Sequence, residues 1–102
     1  MSLEVHKIGA VLDNSTCAQE QEDITGIIST GNDVMLNLTD CTYVSSAGLR
    51  VLLYSYKIAK SKGLKLFLIG VSDDVKEVMK MTGFEKFFTY YATEDECKSH
   101  NA

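Results

Sequence analysis

The richest local chemistry in this chain lies in Val44-Ser45-Ser46-Ala47-Gly48-Leu49-Arg50, where two adjacent hydroxyls precede a small residue, a glycine and an apolar run. Hydroxyls so placed suit three kinds of work: nucleophilic attack, capping of a helix, or acceptance of a phosphoryl group. Attack needs a base beside the hydroxyl and a backbone that presents it. The G-x-S-x-G elbow would require glycine where Val44 stands if Ser46 were the nucleophile, so that signature fails. The histidines, His6 and His100, lie near opposite ends of the chain, and sequence order offers Ser46 no evident base. Catalysis is therefore not expected. No phosphate-cradling G-x-x-x-x-G-K-[ST] loop or G-x-G-x-x-G turn is present, and the histidines and cysteines lack metal-ligand spacing. Neither a cofactor nor a metal is expected.

The elements that must position these serines follow from hydrophobic period. Leu49, Leu52, Leu53, Tyr56 and Ala59 form one stripe at helical spacing, which predicts a helix from Ser45 or Ser46 to Lys62, ended by Gly63 in a left-handed cap. The nearly continuous apolar run from Val34 to Leu38 predicts a central strand covered on both faces, and Leu64 to Ile69 reads as a second buried strand. Gly70-Val71-Ser72-Asp73-Asp74 then turns into a helix carrying Val75, Val78 and Met79, closed by Gly83. Upstream, Val5 to Leu12 reads as one strand, and Cys17, Ile24, Ile27 and Ile28 give a helix from about Thr16 to Ser29. Phe84 to Tyr91 fits either a short strand or a helical turn followed by one. Thr93 with Glu96 makes a capping-box pattern that opens a C-terminal helix.

Alternation of this kind predicts an α/β fold with a mostly parallel or mixed sheet of four to five strands and helices packed on it. The paired serines then sit at a helix start beyond the carboxyl end of a strand, the edge where open α/β sheets place their sites. A Ser46 hydroxyl there can cap the helix, worth about 1 kcal/mol against alanine. Ser46, Arg50, Tyr54 and Lys57 are spaced by four, four and three, on one face apart from the apolar stripe. Asp13, Asp40, Asp73 and Asp74 fall at turns near the same edge, as helix caps or as an acidic rim for a basic partner.

Composition narrows the classes. At 102 residues and 45% hydrophobic composition the chain is expected to form one domain over residues 1–102. A net charge of −4 opposes general attraction to nucleic acid or anionic lipid, and Lys57, Lys60, Lys62 and Lys65 read as a solvated helix end. Cys17, Cys41 and Cys97, odd in number and widely spaced, match no disulfide framework, which implies reduced thiols in a cytosol. The amino terminus lacks the apolar core of a secretory signal, and no segment reaches the roughly 18 apolar residues of a membrane span. A cytoplasmic protein without direct membrane insertion is expected.

Val44-Ser45-Ser46-Ala47-Gly48-Leu49-Arg50 with the following Val51-Leu52-Leu53, the Lys62-Gly63-Leu64-Lys65-Leu66 turn and Met81-Thr82-Gly83-Phe84 together resemble the STAS family, the sulfate-transporter and anti-sigma-factor-antagonist domains. The resemblance places the family's phosphoacceptor on Ser46. Ser45 replaces the aspartate often found before it and stands as the secondary candidate. Gly9-Ala10-Val11-Leu12-Asp13 resembles the family's G-x-L-D turn with one residue inserted, leaving little chain for the customary first strand, which is either missing or shared with the turn. The implied function is that of an anti-sigma factor antagonist: unphosphorylated, it captures an anti-sigma factor of serine-kinase type; phosphorylated on Ser46 by that kinase, it lets go, and a phosphatase resets it. Asp13, Asp40, Ser45, Ser46, Arg50, Tyr54, Lys57 and Asp73 form the implied partner surface. A constitutive scaffold within a transport or signalling complex is the alternative the family also allows.

Overall fold

The computed structural model describes residues 3–101. Its strands are β1 (Leu3–Lys7), β2 (Val11–Leu12), β3 (Asp33–Asn37), β4 (Tyr43–Val44), β5 (Leu66–Ile69) and β6 (Thr89–Tyr91). Its α-helices are α1 (Cys17–Ser29), α2 (Ser46–Ser61), α3 (Asp73–Met81) and α4 (Glu94–Asn101), with a 3-10 turn at Glu85–Phe87. Four strands form an all-parallel sheet in the order β1-β3-β5-β6, and β2 and β4 form a separate two-stranded parallel ladder.

The alternating faces of β3 and β5 build two cores. Val34, Leu36, Leu66 and Leu68 point into the larger one, with Ile24 and Ile28 of α1, Leu49 and Leu52 of α2, and Val75 and Met79 of α3. Met35, Phe67 and Ile69 point to the opposite face and pack on Cys97 of α4. A sheet buried on both sides explains why both strands read as continuous apolar runs.

One expectation from the sequence is corrected. The first strand is neither missing nor merged with the turn: Val5 to Leu12 divides at Ile8-Gly9-Ala10 into β1, which pairs with β3, and β2, which pairs with β4. The last main-chain bond to β3 is made by the Ile8 N–H to the Asn37 carbonyl at 2.9 Å and the next, from the Thr42 N–H, is to the Ala10 carbonyl at 2.9 Å, so the chain leaves one sheet and joins the other across the exposed Gly9-Ala10. Phe84 to Tyr91 resolves into the second of its two readings, a helical turn followed by a strand. Gly63 (φ 71°) and Gly83 (φ 78°) occupy the left-handed region just after α2 and α3, as their helix-ending role requires.

Candidate functional site

Every strand of the main sheet runs the same way, so the segments after β1, β3 and β5 emerge at one edge. The segment after β3 is fixed to the segment after β1 by main-chain bonds. The N–H of Thr42 donates to the carbonyl of Ala10 at 2.9 Å, and that of Ser45 to the carbonyl of Leu12 at 2.9 Å. Between these, β4 pairs with β2 in the register Val11↔Tyr43 and Leu12↔Val44. Leu12 and Val44 turn into the core, while Val11 and Tyr43 stay exposed side by side.

This ladder decides which serine caps α2. It holds Ser45 extended (φ −82°, ψ 175°), and the Ser45 hydroxyl accepts the Gly48 N–H at 3.2 Å. Ser46 is the first residue inside the helix. The sequence reading that lets Ser46 cap α2 is thereby corrected: the cap is Ser45. The Ser46 side chain is exposed and makes no hydrogen bond to the described residues. Ala47 and Gly48 are buried behind it, and a Cβ on Gly48 would fall 2.3 Å from the Leu12 carbonyl oxygen. Glycine is what lets the first turn of α2 lie directly on β2.

Arg50, Tyr54 and Lys57 continue from Ser46 along the exposed face of α2, with Tyr54 47% exposed. The structure thus brings Ser46, Arg50, Tyr54 and Lys57 onto one face, as their spacing implies. Asp13 follows β2 directly. Its Oδ1 accepts from the Ser15 N–H at 2.9 Å and the Ser15 hydroxyl at 2.6 Å, which lowers its carboxyl below the ordinary value, the hydroxyl acting most strongly. Asp40 follows β3 and forms an exposed ion pair with Lys7 at the end of β1, 2.9 Å away, so its charge is locally countered. Asp73 and Asp74 lie exposed in the first turn of α3, where the N-cap is Ser72. All four aspartates are on the predicted edge, but Asp13 serves its own turn and Asp40 is already paired.

Tyr43 is a residue the sequence reading passes over. It is 55% exposed beside Val11, next to the start of α2. A two-residue strand shows no period in the sequence; only its pairing with β2 fixes which of Tyr43 and Val44 faces outward.

No histidine hydrogen-bonds to either serine among the described residues. The His6 ring contacts Glu20 at 3.1 Å, and His100 stacks against Tyr91 at 5.4 Å between centroids. The cysteines are free thiols, and burial of Cys41 and Cys97 raises both above the ordinary thiol value. No helix of the described residues is long and apolar enough to cross a membrane.

Comparison with known proteins agrees with this architecture. The anti-sigma-B factor antagonist of Staphylococcus aureus is 29% identical over 80 residues, covering 78% of this chain and 74% of that protein. The Bacillus anti-sigma factor antagonist SpoIIAA in its unphosphorylated form superimposes with a TM-score of 0.82 at 18% identity, covering 98% of this chain and 89% of that one. A sulfate transporter family protein from Wolinella succinogenes superimposes at 0.77 with 15% identity, covering 96% and 83%. The STAS domain family model matches residues 5–97, which include β2 to β6, the serine junction and α2 in full. The chain belongs to the STAS domain family, and its sequence relatives include anti-sigma factor antagonists.

Proposed function

We propose that this chain is an anti-sigma factor antagonist whose binding is switched by phosphorylation of Ser46. The observation that carries the reading is the division of labour between the two serines: the Ser45 hydroxyl is engaged as the cap of α2, whereas the Ser46 hydroxyl, one residue on, is exposed and uncommitted. Relatives named as antagonists, and a structural neighbour solved in both unphosphorylated and phosphorylated forms, support it. In the cytoplasm, the unphosphorylated protein binds an anti-sigma factor of serine-kinase type through the exposed face of Arg50, Tyr54 and Lys57. The apolar pair Val11 and Tyr43 extends that surface, with Asp13, Asp40 and Asp73 at its rim.

The kinase partner brings ATP. The Ser46 oxygen attacks the γ-phosphorus, the bond to the β-phosphate oxygen breaks, ADP leaves, and the hydroxyl proton passes to a base of the kinase. A phosphatase later transfers the phosphoryl group to water. The phosphoserine adds about −1.5 to −2 charges at a helix start that favours anions, so α2 keeps its structure while the docking surface changes.

Incubation with ATP and the candidate anti-sigma kinase of the source organism, followed by intact-mass measurement and site mapping, tests the reading. One phosphate is expected on the native chain and on Ser45→Ala, and none on Ser46→Ala. Phosphate that persists in Ser46→Ala refutes the assignment. The fold shared with a sulfate transporter family protein favours a second reading, a constitutive scaffold; an unmodified native chain beside a kinase active on its own substrate supports that one instead.

A further inference from the structure

We propose that His6, Glu20 and Asp23 form a binding site for a divalent transition-metal ion of the zinc class. The site joins the edge strand β1 to α1 and is independent of the phosphorylation reading. One ligand atom from each of the three residues lies within 4.8 Å of the other two, with the His6 Nε2 and Glu20 Oε1 already 3.1 Å apart. His6 pairs in register with Leu36 and so shares the sheet face that α1 covers. Glu20 and Asp23 stand three residues apart on α1, a spacing that puts both carboxylates on one side of the helix.

The donor set suits the ion. One imidazole and two carboxylates are borderline-to-hard ligands of the kind zinc accepts at about 2.0–2.2 Å, and two negative charges balance the metal. The His6 and Glu20 side chains are only 17% and 13% exposed, so this pair is held partly out of water before any ion arrives. Asp23 is exposed and, among the described residues, hydrogen-bonded only by Gln19, so a rotation of its side chain closes the third contact. No lysine or arginine forms an ion pair with Glu20 or Asp23 among the described residues; the ion pairs there are His6 with Glu20 and Lys7 with Asp40. Glu20 also lines an open cavity of about 350 Å³ with Gly9, Val11, Ser15 and Thr16, which leaves room beside that carboxylate for water or a fourth ligand.

Calorimetric titration of chelator-treated protein with zinc chloride tests this. One equivalent is expected to bind, with affinity reduced at least about tenfold in His6→Ala and in Asp23→Asn, and with a zinc-dependent rise in melting temperature that Asp23→Asn abolishes. Cys17→Ser and His100→Ala are expected to bind as the native chain does. Asp23 is exposed, so its variant decides the matter if His6→Ala fails to fold. The proposal is overturned if the native chain takes up no zinc, if Asp23→Asn binds with unchanged affinity, or if Cys17→Ser or His100→Ala removes the binding instead.

Discussion

Gly48→Ala and Gly26→Ala make a matched pair that isolates the close approach on which the serine junction is built. Both glycines are helical, so alanine gains helix propensity at each, up to about 1 kcal/mol. Their surroundings differ. A Cβ at Gly26 meets nothing within 4 Å, whereas one at Gly48 falls 2.3 Å from the Leu12 carbonyl oxygen and 2.9 Å from Leu12 Cγ. Ordinary contact begins near 3.5 Å, so the Leu12 carbonyl must retreat by about 1 Å. That oxygen accepts the Ser45 N–H, and Leu12 is paired with Val44. Forced overpacking costs about 1–3 kcal/mol, and loss of the hydrogen bond about 1 kcal/mol more. After the propensity gain, Gly48→Ala is expected to lose about 1–3 kcal/mol. Gly26→Ala is expected to gain about 0.5–1 kcal/mol. Urea unfolding followed by circular dichroism reads both, and the two midpoints should move in opposite directions from that of the native chain. A Gly48→Ala variant as stable as the native protein, or raised alongside Gly26→Ala, refutes the claim that backbone contact with β2 selects glycine there.

Two further outcomes follow from the same region and from the far edge of the sheet. Ser45→Ala removes the hydroxyl that accepts the Gly48 N–H and is expected to cost about 1 kcal/mol, whereas Ser46→Ala should move the urea midpoint little, since its hydroxyl makes no hydrogen bond to the described residues. Equal losses in the two variants would contradict the capping assignment. Tyr90 is expected to ionise well above the ordinary tyrosine value in a spectrophotometric titration, because burial, and then the Glu85 charge, push it up to about 12. Its phenol also donates to the Glu85 carbonyl at 3.0 Å, a bond the phenolate cannot make. The folded state holds this proton more tightly than the unfolded chain, so the stability it confers is complete below about pH 10 and is lost as pH rises toward 12. Tyr90→Phe should flatten that alkaline decline, and an unchanged decline would assign it elsewhere.

What the sequence made legible was set by range. α2, β3 and β5 carry their own period: the stripe from Leu49 to Ala59 and the apolar runs from Val34 and Leu64 need no partner to be recognised. The division of the first strand is less visible because β1 lies at the sheet edge, where Val5 remains 45% exposed and no alternation develops. β4 is too short to show any period. The sequence reading gives the cap to Ser46 rather than Ser45 because adjacent serines have the same propensity and nothing local separates them. The choice depends on the extended backbone of Ser45, and the partner that fixes it, Leu12, is far away in the chain. The contacts of His6 with Glu20 and of Lys7 with Asp40 are equally non-local. Residue spacing announces neither.

The one-residue offset between cap and proposed phosphoacceptor bears on how such a switch can work. A phosphate on Ser45 would use the oxygen that accepts the Gly48 N–H, and modification would be coupled to fraying of the first turn of α2. A phosphate on Ser46 takes no hydrogen bond from the fold, and the first turn of α2 contains no acidic residue to repel it. Its charge lands at the start of α2, three residues after the exposed Tyr43 and on the helix face that carries Tyr54, apolar surface whose value to a partner lies in being covered. Covering that surface then requires desolvating a dianion together with Arg50, four residues on along the same face, a penalty on the order of a few kcal/mol. Each 1.4 kcal/mol is about tenfold in affinity, so on the proposed reading the modification releases a partner without unfolding the protein. On that reading the chain returns to its binding form as soon as the phosphate is removed, with no refolding step between.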